Sequence, residues 1–322
     1  MSHRRIQILL ATYNGAAFVG QQLESLRAQT TASQIKVLVR DDGSSDETVA
    51  LVAAFDPGPL EIRLSEGPHA GPAGSFLALL EAADPACDCV MLCDQDDYWE
   101  PDKAEIAAAA LARLDPDQPG LYCCRSVVTD DHLRPVGLTD LVPLGPSFRN
   151  ALVQIIASGH TMALNQSLVR LTCRTLQPEA AVMHDNWIYC LAAGLGQVVF
   201  DPTPHVRYRI HGQNKMGFNV GWRRALQRVG RLFSSDRRQL TRQAQALAQT
   251  IGTELRLSDR AILMGFLDQD RLANRLRYLV RHPLTFQRRS TGVVNTVLFA
   301  LGRFRLRPAP VARPLTQTEA GR

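Results

Sequence analysis

Three carboxylates fall within four positions at Asp94-Gln95-Asp96-Asp97, and Tyr98 and Trp99 follow at once. Charges packed this closely repel, so a folded chain tolerates them where a cation sits among them. A hard, oxygen-seeking divalent ion such as Mg2+ or Mn2+, carrying a phosphorylated substrate, meets that need. Taken alone, the D-x-D spacing also describes a solvated acidic turn. Its setting favours the chemical reading: the apolar run 89–93 leads into the acids as a buried strand would. Two other apolar runs end in polar groups the same way. Residues 6–11 end in Thr12-Tyr13-Asn14-Gly15, and residues 35–39 end in Arg40-Asp41-Asp42-Gly43-Ser44-Ser45-Asp46.

These runs require a scaffold that brings their ends together. Apolar spacing through Phe18, Leu23 and Leu26 predicts a helix over 18–29, and Ser45 is the expected N-cap of a helix over 48–55. A third strand is expected at 61–64, a helix at 71–83, and then the strand at 89–93. An Ala-rich helix over 101–114 and a strand over 121–128 follow, then a Pro- and Gly-rich loop over 132–147. Strand and helix alternate, which predicts an α/β sheet with functional groups at the carboxyl ends of its strands. Hydroxyl, amide, carboxylate and aromatic groups would then share one crevice.

Composition narrows the class. The chain has 322 residues, 45% of them hydrophobic, enough for a large core. Its net charge of +5 is unevenly spread. Residues 223–322 hold 20 arginines, no lysine and six acidic residues, leaving 16 basic and 25 acidic residues before them. Seven cysteines without a C-x-x-C pair are expected as free thiols in a reducing compartment. Arg4-Arg5 and the apolar run after them are read as a first strand rather than a signal peptide, because Thr12, Tyr13 and Asn14 interrupt the run. No segment approaches the roughly 20 apolar residues of a membrane span. The expected location is cytoplasmic, with peripheral contact at the inner face of the cell membrane.

Ala11-Thr12-Tyr13-Asn14-Gly15, the Asp41–Asp46 run, Asp94-Gln95-Asp96-Asp97-Tyr98-Trp99 and His184-Asp185-Asn186-Trp187 resemble family-2 glycosyltransferases. With Gln21-Gln22-Leu23-Glu24-Ser25-Leu26 between the first two motifs, the wording is similar to bacterial rhamnosyltransferases. The resemblance covers roughly residues 5–220. It implies a GT-A fold (a Rossmann-like mixed sheet flanked by helices), an inverting mechanism and a nucleoside-diphosphate sugar donor. It further implies that Thr12, Tyr13, Asn14 and Asp42 contact the nucleoside, Asp42 accepting from the base. Asp94 and Asp96 would hold the metal, Gln95 and Trp99 would meet donor or sugar, and Gly159 lies where relatives shape the acceptor site. Asp185 matches the general base, with His184 and Trp187 beside it in the motif; read alone, Asp185 fits a helix-cap residue better than a catalyst. His69 departs from the family, which often has Asn nearby. From chemistry, His211 could complete the metal's shell, and Arg209 or Lys215 could neutralise a diphosphate.

From Trp222 the composition turns to amphipathic, arginine-rich helices, and the Pro-rich end reads as disordered. The expected organisation is a glycosyltransferase domain over 1–221, a basic helical extension over 222–307 and a disordered tail over 308–322. Four readings of the extension compete: packing on the body with arginines facing anionic lipid, a solvated face, an oligomer interface, and nucleic acid. The last is disfavoured by the lack of a binding motif or interleaved aromatics. The expected activity is metal-dependent transfer of rhamnose or a similar hexose to a hydroxyl of a saccharide or lipid-linked acceptor, in cell-surface polysaccharide synthesis. The rivals are a sugar-nucleotide pyrophosphorylase, which would want a Gly-rich basic loop after the first strand, and a catalytically dead sugar-nucleotide sensor. A nicotinamide dehydrogenase lacks its G-x-G-x-x-G.

Overall fold

The structure, a computed structural model, describes residues 4–156, 158–211 and 237–306. Four parallel strands form one half of the sheet: β1 (Arg5–Thr12), β2 (Gln34–Asp41), β3 (Glu61–Glu66) and β4 (Cys89–Asp94). Between them run helices α1 (Val19–Arg27), α2 (Thr48–Ala53) and α3 (Gly71–Glu81). The α2 cap differs from expectation. Glu47 occupies the cap without a side-chain bond, and Ser45 instead donates its backbone N–H to Asn14 Oδ1 at 2.8 Å.

After the acidic turn come β5 (Tyr98–Trp99), α4 (Lys103–Leu111), β6 (Gly120–Thr129) and β7 (Pro135–Leu138), the last lying inside the expected loop. Then follow α5 (Phe148–Ala151), β8 (Ala163–Leu164), α6 (Gln166–Thr175), α7 (His184–Leu195) and β9 (Gln197–Arg209). The sheet order is β3-β2-β1-β4-β8-β6-β9-β5, with β7 paired to β6. Parallel and antiparallel pairs mix on the β8 side. The fold is therefore the expected GT-A type, and C-terminal helices are present: α8 (Arg237–Ile251), α9 (Leu257–Leu267), α10 (Leu272–Arg281) and α11 (Arg289–Ala300).

Strand register places the chemistry. Thr12 lies opposite Asp41 and Ala11 opposite Asp94, so three polar turns leave the sheet at one level. One face of the sheet is packed by α1, α2 and α4. The other is packed by α3, α5, α6 and α7, and Leu247, Leu263, Phe266 and Phe299 of the C-terminal helices join that same core. All seven cysteines are free thiols, and burial raises their pKa values. The boundary at 221, the arginine-rich stretch at 223–233, Lys215 and the tail after 307 lie outside the described residues.

Candidate active site

A cavity of about 1320 Å3 opens where the polar turns converge. Its first wall is built from the β1 and β2 turns. Tyr13 is exposed, its ring 4.5 Å from that of His69, so the residue that departs from the family completes an aromatic pair suited to a flat base. Gln95 holds this wall in place, accepting from Tyr13 N–H at 2.8 Å and donating to Tyr13 O at 2.9 Å. A Cβ on residue 15 would lie 2.1 Å from Gln95 Oε1, which is why the turn carries Gly15. Thr12 donates to Asp41 Oδ1 at 2.8 Å, and Asn14 N–H reaches Ser44 Oγ at 2.8 Å.

Asp42 lines the cavity, but both its oxygens already have donors. Oδ1 accepts from Arg40 at 2.6 Å and Ala70 N–H at 2.8 Å, while Oδ2 accepts from Gly71 N–H at 2.9 Å and lies 3.0 Å from His69 Nδ1. Burial opposes its ionisation, yet the Ala70 amide, Arg40, Ser75 and the Gly71 amide outweigh burial and hold the carboxyl below its ordinary value. Its position fixes the 67–71 loop as firmly as it offers an acceptor to a base.

The acidic turn divides at Asp96. Asp94 and Asp96 face the cavity, and Asp96 Oδ2 lies 2.7 Å from His211 Nε2. Burial and the charge of Asp94 push the Asp96 carboxyl up, as expected of acids awaiting a counter-charge. Asp97 turns inward and is fully buried, with His160 Nδ1 3.2 Å from its Oδ2. That imidazole also lies 3.5 Å from Asp94, and its Nε2 meets Ser126 Oγ at 3.1 Å. The group Asp94, Asp97 and His160 has ligand atoms within 4.8 Å of one another. Burial pushes Asp97 up to about 8, while burial works against a charged His160 but is outweighed by Asp97 and Asp94.

The cavity lining also includes Asp185, in the first turn of α7. Its Oδ1 accepts from Asn186 N–H at 2.7 Å and its Oδ2 from Gly159 N–H at 3.2 Å, leaving lone pairs for an incoming hydroxyl. Burial and Asp94 raise its pKa. His184 stacks on Phe76 at 4.2 Å, and a Cβ on residue 159 would approach its Nε2 to 2.8 Å. Gly159 therefore lets the 3-10 turn Gly159–Thr161 close onto α7.

Three expected contacts do not reach the cavity. Trp99 is wholly buried, because the short β5–β9 ladder turns its ring into the α1/α4 side of the core, with Lys103 Nζ 3.0 Å from the ring centroid. Trp187 is equally buried and donates to Thr175 Oγ1 at 3.2 Å. Arg209 is drawn inside, donating to Asp96 O at 2.8 Å and Gln21 Oε1 at 2.6 Å and also to Asp131 O, so its guanidinium braces the acidic turn rather than facing a diphosphate. The sequence reading overlooked Asp97 and His160 as a pair, and it overlooked the wall beyond Asp185 formed by Leu240, Phe286, Arg288, Val294 and Asn295. Asp94 closes β4, Gln95 and Asp96 form the turn and Asp97 leads into β5, a division that the acidic run itself does not mark.

The glycosyl transferase family 2 model matches residues 7–162. The dTDP-rhamnosyl transferase RfbG of Shigella flexneri is 26% identical over 252 residues, spanning 74% of this chain and 84% of that protein. Among solved structures, S. aureus TarS 1–349 in complex with UDP-GlcNAc aligns with TM-score 0.56 at 14% identity, covering 94% of this chain and 89% of that one. The Pyrobaculum calidifontis mannosyltransferase PcManGT, in complex with GDP-Man and Mn2+, aligns with TM-score 0.52 at 18% identity, covering 94% and 88%. The chain is thus a glycosyltransferase, similar over residues 7–162 to glycosyl transferase family 2 and over most of its length to a dTDP-rhamnosyl transferase.

Proposed function

We propose that this glycosyltransferase inverts configuration, moving rhamnose or a similar hexose from a nucleoside diphosphate to a hydroxyl of a saccharide or lipid-linked acceptor in cell-surface polysaccharide synthesis. The observation that carries the reading is that Asp185 lines one cavity with Asp94, Asp96 and His211. A nucleoside would lie along Tyr13 and His69, with its diphosphate toward Asp94 and Asp96. The acceptor would enter past Asp185 into the part of the cavity walled by Val153, Ile155, Phe286 and Val294.

Two cavity-facing carboxylates and one imidazole make an oxygen-rich donor set, and burial together with the charge of Asp94 raises the Asp96 carboxyl, which supports a cation there. These residues fit Mg2+ or Mn2+. Bound there, a divalent ion would supply charge to the leaving diphosphate. The chain's own chemistry is a proton transfer. As the acceptor oxygen forms its bond to the anomeric carbon, the bond from that carbon to the diphosphate oxygen breaks, and the diphosphate leaves with the electron pair. Asp185 takes the hydroxyl proton, while the amides of Asn186 and Gly159 hold the carboxylate in place. Attack from the Asp185 side, opposite the leaving group, inverts the anomeric centre.

The test is Asp185→Asn assayed with a panel of nucleoside-diphosphate sugars and a divalent ion. Donor binding is expected to survive while transfer falls by on the order of 10²–10⁴-fold. Undiminished transfer, or a product whose anomeric NMR signal shows retained configuration, would overturn the mechanism.

A further inference from the structure

Helices α10 and α11 pack on each other around a buried aromatic cluster: Phe266, Tyr278, Phe299 and Phe304, with Phe299 5.3 Å from Tyr278 and 5.5 Å from Phe266. The faces turned away from that cluster are apolar as well. Leu272, Leu276 and Val280 are exposed on α10, and Val293, Val297 and Leu301 are exposed on and just after α11. In each set the residues recur every four positions, so each forms a stripe along one side of its helix. Exposed apolar side chains are ordinary when scattered, but aligned ones on adjoining helices form a patch that calls for a partner.

Charge identifies the partner. Residues 271–306 contain eight arginines and no Asp or Glu. Arg271, Arg277, Arg281, Arg289 and Arg303 are exposed, and among the described residues none of them forms an ion pair. We propose that the α10–α11 face docks on an anionic membrane surface, its two stripes entering the headgroup boundary and its arginines meeting lipid phosphates. An amphipathic helix lying in the interface combines these two features, apolar burial for depth and cationic flanks for anionic lipid. No described helix is long and apolar enough to span a bilayer, so this contact is peripheral.

A second copy of the chain fits less well, because a twofold contact would set these five exposed arginines against their own copies, and residues 271–306 offer no acid to offset them. Nucleic acid fits less well again, since the aromatic rings that could stack on bases point into the core. The position also serves the enzyme. Ser290, Thr291, Val294 and Asn295 of α11 line the cavity, so the docked helix would bring the acceptor end of the cavity beside the lipid surface. That last consequence rests on the proposed acceptor end; the docking itself does not.

The experiment is flotation of the full chain with vesicles of phosphatidylcholine alone and with added phosphatidylglycerol. Binding is expected only with phosphatidylglycerol and should weaken as salt rises. L276D/V297D, altered at two exposed sites, should reduce the bound fraction at least about tenfold. R277Q/R281Q/R289Q should abolish the preference for anionic vesicles while keeping the wild-type melting temperature and donor hydrolysis without vesicles. Retained hydrolysis together with lost flotation separates this surface from the reading of the active site. Absence of wild-type flotation, or wild-type flotation by folded L276D/V297D, would overturn the proposal. A dimer by light scattering that L276D/V297D dissolves, without vesicle binding, would assign the face to self-association instead.

Discussion

Asp96 and Asp97 are neighbours in the chain, and each meets a histidine, yet they face different media. Asp96 reaches His211 on the wall of a large cavity, where its charge is available to a ligand. Asp97 reaches His160 in the interior, beside Trp99, Lys103 and Arg209, all buried. The same motif therefore supplies one side that does chemistry and one that keeps the turn in place. Residue type does not separate the two roles; the turn between β4 and β5 does. The buried side is the costlier to maintain, because Asp97, His160 and Lys103 have all left water.

If this division holds, the largest stability effect should come from the inner side. Trp99→Ala should lower unfolding free energy by about 3–5 kcal/mol, the range for truncating a fully buried aromatic. Donor affinity of the protein that remains folded should stay near wild type. Denaturant unfolding and donor titration measure the two quantities. A stable Trp99→Ala protein that had lost its donor would put this ring against the sugar after all.

A sharper comparison pairs the two acids. Asp96→Asn should cost on the order of 10²-fold in metal-stimulated transfer, the scale of losing one preorganised charge-stabilising group, with little change in melting temperature. Asp97→Ala should do the reverse. It leaves the Arg209 N–H (3.2 Å from Asp97 Oδ1) without its acceptor and removes the carboxylate beside His160, costing about 1–3 kcal/mol in stability. Asp97→Asn keeps an oxygen in the same place and should recover most of that loss. If Asp97→Ala instead abolished metal stimulation with its fold intact, the inner group, rather than Asp96 and His211, would be the metal site.

Much of the fold was legible because local and global signals agree at the strand ends. The runs ending at Thr12, Asp41 and Asp94 are apolar up to the sheet's edge, so parallel register alone brings their polar residues together. That Asp94, Asp96 and Asp185 line one cavity follows from the same placement, near the end of a strand or at the start of a helix. Trp99 was misread because an aromatic after an acidic turn resembles a sugar platform. Only pairing with Val206, far along the chain, turns it inward. The same holds for Arg209 and for Asp97 with His160. Side-chain partners that depend on tertiary crossing leave no periodic trace.

A smaller effect concerns the pH dependence of Asp185. Burial raises its pKa above the ordinary 3.8, so at a given acidic pH more of it is protonated and unable to accept a proton. The acid limb of kcat/KM should therefore lie above the usual carboxylate range, activity rising with pH until Asp185 ionises. Asp185→Asn should lose that limb together with the rate. A wild-type limb at or below the ordinary value would show that Asp185 is better solvated than its burial indicates, and would weaken its assignment as the base.

The smallest expected effect tests the inner side from its charge. Lys103 is completely buried, and among the described residues its Nζ has no hydrogen-bond partner beyond the face of Trp99. Burial lowers its pKa to about 8, an effect only partly offset by nearby thiols and Asp97. Lys103→Met keeps the length of the side chain and removes a charge that is expensive to bury, but it also removes the attraction to the indole. The two changes oppose each other, so stability at neutral pH should shift by no more than about 1 kcal/mol in either direction. The sign with pH is firmer. A folded pKa below the unfolded one means that the unfolded chain binds more protons between pH 8 and the ordinary 10.5, so wild type should gain stability relative to Lys103→Met across that window. Following the wild-type minus variant difference cancels the titration of the buried cysteines. A difference that stayed flat from pH 8 to 10.5 would mean that Lys103 titrates as it does in water. The interior beside Asp97 would then be wetter than the contrast between the two acids requires.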